Sequence, residues 1–265
     1  MHAARFRMTK SNLIGAVALV AASLVPALAN AQSAKYSIAP RASLAWWQIS
    51  PHMNHLWATT CPGDPNWQPG DERSSGWKVD EKKMPPTGHS NKVDTVHVPL
   101  YPRPEANEAC TPAVRGDITV QDMANWKGVK GMILVRGDQL ITGLDMRDNY
   151  ARKAILQTSA YPDVKFEIDS LTNIRHRGDT VIADAVGTLE IRAVRAPKKV
   201  QIQTWTEPLG RRVTAKFMFP GTDLAEVYKI SRLSLGLGVG TGLWKFVHLG
   251  IDAILVPAGS ASSSD

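Results

Sequence analysis

The sequence predicts an all-β protein built as an antiparallel barrel, and three observations carry that prediction. Apolar residues recur at every second position through the second half of the chain, little helix is available to cover an open sheet, and the strands are long enough that open edges would be exposed. A closed sheet answers all three. A barrel of about eight strands is wide enough to hold either packed side chains or one small ligand. A sandwich is the alternative, and it keeps the edges that closure removes.

The chain opens with Arg5, Arg7 and Lys10, then an apolar stretch from Leu13 to Leu28, then Ala29-Asn30-Ala31. That layout is a secretory signal over residues 1–31, cleaved after Ala31. A membrane anchor needs roughly 20 continuous apolar residues and no cleavage pattern, and a lipid-modified export signal needs a Cys that is missing here. The expectation is a periplasmic or secreted protein that does not span a membrane. Losing those three basic residues and no acidic ones takes the net charge from +7 to +4. Nothing then resembles a basic stripe, so a nucleic-acid partner is set aside. Residues 32–256 read as a single domain, with a disordered tail over 257–265.

The first strand is expected from Tyr36 to Ile49, where Ala45, Trp47 and Ile49 share one parity. Pro51 ends it, and ten of the seventeen prolines fall within residues 51–112, so a continuous sheet cannot run through that segment. It reads as an insert, with a small hairpin pairing Gly76–Asp80 and Val93–Val98. Its two cysteines, Cys61 and Cys110, form an even pair in an exported chain, which favours a disulfide over a metal site. The staple closes a loop of about 50 residues, a stabilisation of roughly 4 kcal/mol in the chain-entropy picture.

Further along, Val164, Phe166 and Ile168 alternate with Lys165, Glu167 and Asp169 as a half-buried strand does, preceded by a loop or short helix over Leu144 to Leu156. From Thr180 to Ala193 every odd position is small or apolar, from Val181 through Leu189 and Ile191. Fourteen residues at about 3.3 Å each span about 46 Å, so this strand is expected to bend near Gly187. Arg195-Ala196-Pro197 is read as the turn into a return strand through Val200, Ile202 and Thr204. Val213, Ala215, Phe217 and Phe219 make another inward row, and Val247, Leu249, Ile251, Ala253 and Leu255 the last. One short helix interrupts the pattern: Asp223 as N-cap, Glu226 as its reciprocal partner, and Leu224, Val227 and Tyr228 as the apolar stripe.

Several stretches that suggest chemistry do not support it. His52 and His55 lie three apart with no third ligand at a recognised spacing, whereas zinc takes three or four. The run from Gly236 to Gly242 departs from a dinucleotide fingerprint at Thr241 and precedes a strand rather than a helix. No nucleophile elbow, zincin helix or isolated reactive cysteine occurs. No catalytic residue, metal or cofactor is assigned, and turnover of a lipid inside the barrel ranks last among the functions considered.

Four groups of short motifs occur in a telling order. They are Tyr36-Ser37-Ile38-Ala39-Pro40 before Ser43, Arg147-Asp148 followed by Tyr161-Pro162 and Phe166, Gly187-Thr188-Leu189 before Arg195-Ala196-Pro197, and Ile230-Ser231-Arg232 before Leu235-Gly236. Together they make the chain resemble the YceI-like family over residues 36–49 and about 115–256. That resemblance implies an exported, lipocalin-like antiparallel β-barrel whose elongated apolar cavity holds isoprenoid or other long-chain lipids. The chain departs from the family's pattern in its Pro-rich insert, and in Ser234-Leu235 where an Asp-Phe pair is usual.

Trp47, Val164, Phe166, Leu189, Ile191, Phe217 and Phe219 are candidate ligand-binding residues. Periodicity alone does not separate a hollow barrel from a filled one, and the resemblance is what implies a cavity. Arg147 has two readings: its fork of donors steers a lipid head group, or Arg147 and Asp148 bond backbone in a loop across the barrel end. The leading function is a carrier for a long-chain isoprenoid or acyl lipid. The rival is an interaction module with a filled barrel, binding a partner through Trp57, Trp67 and Trp77 of the insert. A homodimer is compatible with either.

Overall fold

The computed structural model of the chain describes residues 33–50, 56–60, 112–142, 145–232, 234 and 246–259. Among them ten strands form one antiparallel sheet: β1 Ala34–Ile38, β2 Leu44–Ser50, β3 Leu56–Thr59, β4 Val114–Val120, β5 Lys130–Arg136, β6 Asp163–Arg177, β7 Thr180–Ile191, β8 Val194–Glu207, β9 Gly210–Pro220 and β10 Phe246–Pro257. From β4 to β10 each strand lies beside the next in sequence, apart from the short elements between them. Because β1 pairs with both β4 and β10, eight strands close a barrel, and β2 and β3 form a hairpin on the rest of β10's free edge.

The expected opening strand is therefore interrupted. Pro40 has no N–H and a fixed φ, and the chain makes a single 3-10 turn over Pro40–Ala42 between β1 and β2. Both halves still lie along β10, β1 beside Leu255–Pro257 and β2 beside Phe246–Asp252. Ser43 bridges the gap: its hydroxyl donates to the Ala39 carbonyl at 2.7 Å and accepts from the Ile254 N–H at 3.1 Å. Leu56–Thr59, within the segment read as an insert, pairs with β2, and Thr59 bridges to Ile141.

β7 follows the expected alternation without a fault, buried at Val181, Ala183, Ala185, Gly187, Leu189 and Ile191 and half-buried between them. The irregularity expected at Gly187 falls on its partner strand, where the register slips between Ile168 and Ser170. Gly187 permits the approach, since a Cβ there would stand 1.9 Å from the Glu167 carbonyl oxygen.

Two expected features are placed differently. The turn from β7 into β8 is made by Arg192 and Ala193, at φ 53° and 59°, rather than by Arg195-Ala196-Pro197. Pro197 lies inside β8 opposite Thr188, and it is tolerated because the ladder to β9 begins only at Gln201. Asp223 is not an N-cap. The helix α2 spans Gly221–Glu226 with Pro220 at the cap position, and Asp223 is a buried residue within it. Pro220, its φ fixed by the ring and its ψ extended at 142°, starts this helix without a side-chain cap.

A second short helix, α1, covers Asp145–Tyr150 and continues as a π-helical turn over Ala151–Leu156. No helix among the described residues is long and apolar enough to cross a membrane, a statement that does not concern β-strands. Cys61, Cys110, the expected 76–98 hairpin, His52, His55, Trp67, Trp77 and the Gly236–Gly242 run lie outside the described residues.

Candidate functional site

The inward rows do not meet at the barrel axis. They enclose a cavity of about 160 Å³. On the measure by which a single water needs about 10–15 Å³, this is far beyond a packing defect. Its lining on β10 runs from Val247 to Leu255, eight residue steps or about 26 Å of strand. The lining is apolar apart from Lys165, whose ammonium turns to Glu190 at 2.9 Å.

Of the residues expected to line a cavity, Trp47 from β2, Val164 and Phe166 from β6, Leu189 and Ile191 from β7, and Phe217 and Phe219 from β9 all do so. They divide between two apolar clusters, one around Ile118, Trp126 and Ile133 and the other around Ile155, Phe219 and Leu224. Phe166 and Leu249 pack against both, at the waist. Arg147 is half-exposed on α1 and is not among the lining residues. Its neighbour Asp148 is buried and accepts from the Thr142 N–H at 2.8 Å and the Thr142 hydroxyl at 2.7 Å. That carboxylate pins α1 to the segment after β5.

Sequence reasoning missed the two ends. At one, Trp126 closes the barrel with its ring 4.7 Å beneath the Arg211 guanidinium. Arg211 stands on the inward parity of β9, two residues before Val213, and its donors reach the Thr204 and Thr206 hydroxyls and the Asp179 carbonyl at 3.0 to 3.2 Å. Trp126 sits in a tight turn at φ 54° and has no strand parity to reveal it. At the other end the π-helical turn supplies Ala151, Ile155 and Leu156, while α2 and the segment beyond it supply Leu224 and Ile230. Arg192 donates to the Ile155 carbonyl at 3.5 Å, and Tyr150 donates to the Ser234 carbonyl at 2.8 Å.

Lys198 is also at this end. Even parity on β8 places it between Ala196 and Val200 on the inward row, which was a legible signal. Its ammonium lies 3.5 Å from Asp223 Oδ2 and 5.1 Å from the centre of the Phe219 ring. Tyr228 is wholly buried beside Phe219, and desolvation first, with the charge of Asp223 adding, pushes its phenol well above the ordinary value.

Fold and site together define an antiparallel β-barrel with an apolar cavity. The YceI-like domain matches residues 105–250, more than half of the chain, and the chain belongs to that family. Among solved structures, a polyisoprenoid binding domain from Saccharophagus degradans implicated in plant cell wall breakdown is similar at 11% identity and a TM-score of 0.50, covering 84% of this chain and 98% of that one. Burkholderia cenocepacia BcnA matches at 12% identity and a TM-score of 0.40, over 56% of this chain and 86% of the other. The Campylobacter jejuni YCEI protein matches at 14% and 0.38, over 64% and 98%. No curated protein matches the chain.

Proposed function

We propose that this protein is an exported carrier that takes a long apolar ligand, an isoprenoid or fatty-acyl lipid, into its barrel and shields it from water. The observation that carries the reading is the cavity itself: long, internal and apolar, with the charges at its two ends turned to partners. Family membership and the polyisoprenoid-binding description of the Saccharophagus degradans domain support it. The mechanism is burial. At about 0.8 kcal/mol per methylene, ten to fifteen carbons contribute on the order of 8–12 kcal/mol before ordering costs, enough for binding without many polar contacts. The signal-like residues 1–31 would place the carrier in the periplasm or outside the cell, where Cys61 and Cys110 would pair.

The test is native mass spectrometry of the mature protein purified gently from an exporting host, with organic extraction of whatever is bound. A stoichiometric adduct that resolves to a long-chain lipid is the expected result. An apo mass, unchanged after incubation with prenyl and acyl lipids, would reject the carrier reading.

A further inference from the structure

The barrel wall has a seam between β8 and β9. The two strands pair from Glu207 opposite Gly210 to Gln201 opposite Lys216, and there the ladder stops. Neither strand ends at that point. Toward its start β8 continues to Val194 along β7, and β9 runs on through Phe217 to Pro220 along β10, so each keeps one neighbour and loses the other.

The seam lies over the cavity, because Val200 on one lip and Phe217 and Phe219 on the other all line it, as does Leu224 of α2. The helix α2 stands at the gap. It follows β9 directly, shares an apolar cluster with Ala196 of β8 and Phe219 of β9, and meets β8 where Lys198 Nζ lies 3.5 Å from Asp223 Oδ2. Both of these side chains are shut away from solvent.

The covers of the cavity differ in how firmly they are held. Arg211 over Trp126 makes three hydrogen bonds of 3.0 to 3.2 Å, and Asp148 pins α1 with two of 2.7 and 2.8 Å. The pair at the seam is longer than the usual charge-assisted bond of about 2.7–2.9 Å. The helix itself has six residues and no side-chain cap, and Glu226 bonds to Lys229 and Arg232 within its own segment rather than to the wall. Parting the wall anywhere along a complete ladder strands backbone donors and acceptors against an apolar interior. Parting it between β8 and β9 beyond Gln201 breaks no strand pairing.

We propose that the apolar ligand enters and leaves sideways, through the β8–β9 seam, as α2 lifts from β8, and that Lys198 and Asp223 are the latch. This rests on the carrier reading.

The experiment loads the mature protein with diphenylhexatriene, a fluorescent hydrocarbon, and follows its transfer to excess phosphatidylcholine vesicles that carry an energy acceptor. Asp223→Asn leaves the Lys198 charge buried without its carboxylate, and it is expected to speed release about tenfold or more. Uptake should quicken in proportion, with the equilibrium affinity unchanged and the rise in hydrogen exchange confined to residues 221–230. Lys198→Met combined with Asp223→Asn removes the stranded charge, and its release rate should return to within about threefold of wild type. That double variant also carries the test if the single one does not fold: release more than about tenfold faster than wild type, with hydrogen exchange rising throughout the barrel, would overturn the latch. Unchanged release in Asp223→Asn, or release that quickens in Arg211→Ala or Asp148→Ala instead, would place entry elsewhere and spare the carrier. Failure of wild type to take up the reporter would overturn the carrier reading and this inference with it.

Discussion

The indole of Trp46 lies against Gly250, its partner across β2 and β10, so closely that a Cβ on Gly250 would stand 2.1 Å from Cζ2 of the ring. Trp46 is 5% exposed. A methyl group at residue 250 must therefore push a buried indole out of place. Gly250→Ala is expected to cost about 1–3 kcal/mol, the ordinary penalty of overpacking, read from urea denaturation. Trp46→Ala should cost less in the Gly250→Ala background than in wild type, because the clash is then gone. Additive costs in that double-mutant cycle would show that the ring moves aside freely.

The barrel was legible in the sequence where strands are half-buried and unbroken. The odd rows of β7, β9 and β10 stand inward as their parity predicts, because a period of two leaves one way to hide an apolar face. Legibility failed where one residue type serves two purposes. Pro197 reads as a turn, yet it is tolerated in β8 where β9 does not pair. Asp223 in front of Glu226 reads as a capping box, yet it is buried facing Lys198, a long-range contact that no local pattern encodes. The ends of the cavity come from turns and short helices, where Trp126 and Ile155 follow no strand period. Hollowness is likewise a matter of how far opposing rows stand apart, which alternation within one strand does not express.

A charge placed on the cavity wall should expel an apolar ligand. Phe217 lines the cavity beside Phe219, with ring centres 5.9 Å apart. In Phe217→Asp the carboxylate would have to be buried without a partner or hydrated inside the barrel, and either costs more than a few buried methylenes return. Protein that keeps its far-ultraviolet circular dichroism but no longer copurifies with lipid is the expected outcome. Phe166→Asp, at the waist between the two clusters, should behave alike. Folded mutants that still retain lipid would contradict the cavity as the binding site.

Asp148 should matter for the α1 segment and not for ligand chemistry. Its carboxylate receives the N–H and the hydroxyl of Thr142 while 4% exposed, so truncation takes one acceptor away from two buried donors. Asp148→Ala is expected to destabilise by about 2–3 kcal/mol, with hydrogen exchange rising first in residues 145–156. Arg147→Ala, half-exposed on the same helix, should change stability by less than about 0.5 kcal/mol. If Arg147→Ala instead abolished retention of an anionic lipid, the head-group role for Arg147 would be restored.

Acid sensitivity should report on Asp179, in the turn between β6 and β7. The Thr206 N–H donates to its Oδ2 at 2.6 Å and the Thr206 hydroxyl to Oδ1 at 3.2 Å, and Arg211 stands 3.7 Å from Oδ1. The backbone bond from Thr206 is the largest cause holding this carboxylate below its usual pKa; the threonine hydroxyl and the nearby guanidinium add to it, against a smaller effect of burial. A carboxylate whose folded pKa is depressed stabilises the fold fully above its unfolded pKa, near 4, and loses that contribution as the pH falls through the lower folded value. Asn at this position keeps an acceptor for Thr206 but removes the titrating charge. The urea midpoint of Asp179→Asn should therefore lie below wild type by a constant gap above about pH 5, and the gap should close as the pH drops below about 4. A gap that stays constant down to the acid transition would mean that the carboxylate titrates alike in the folded and unfolded chains, and that the Thr206 tether owes nothing to its charge.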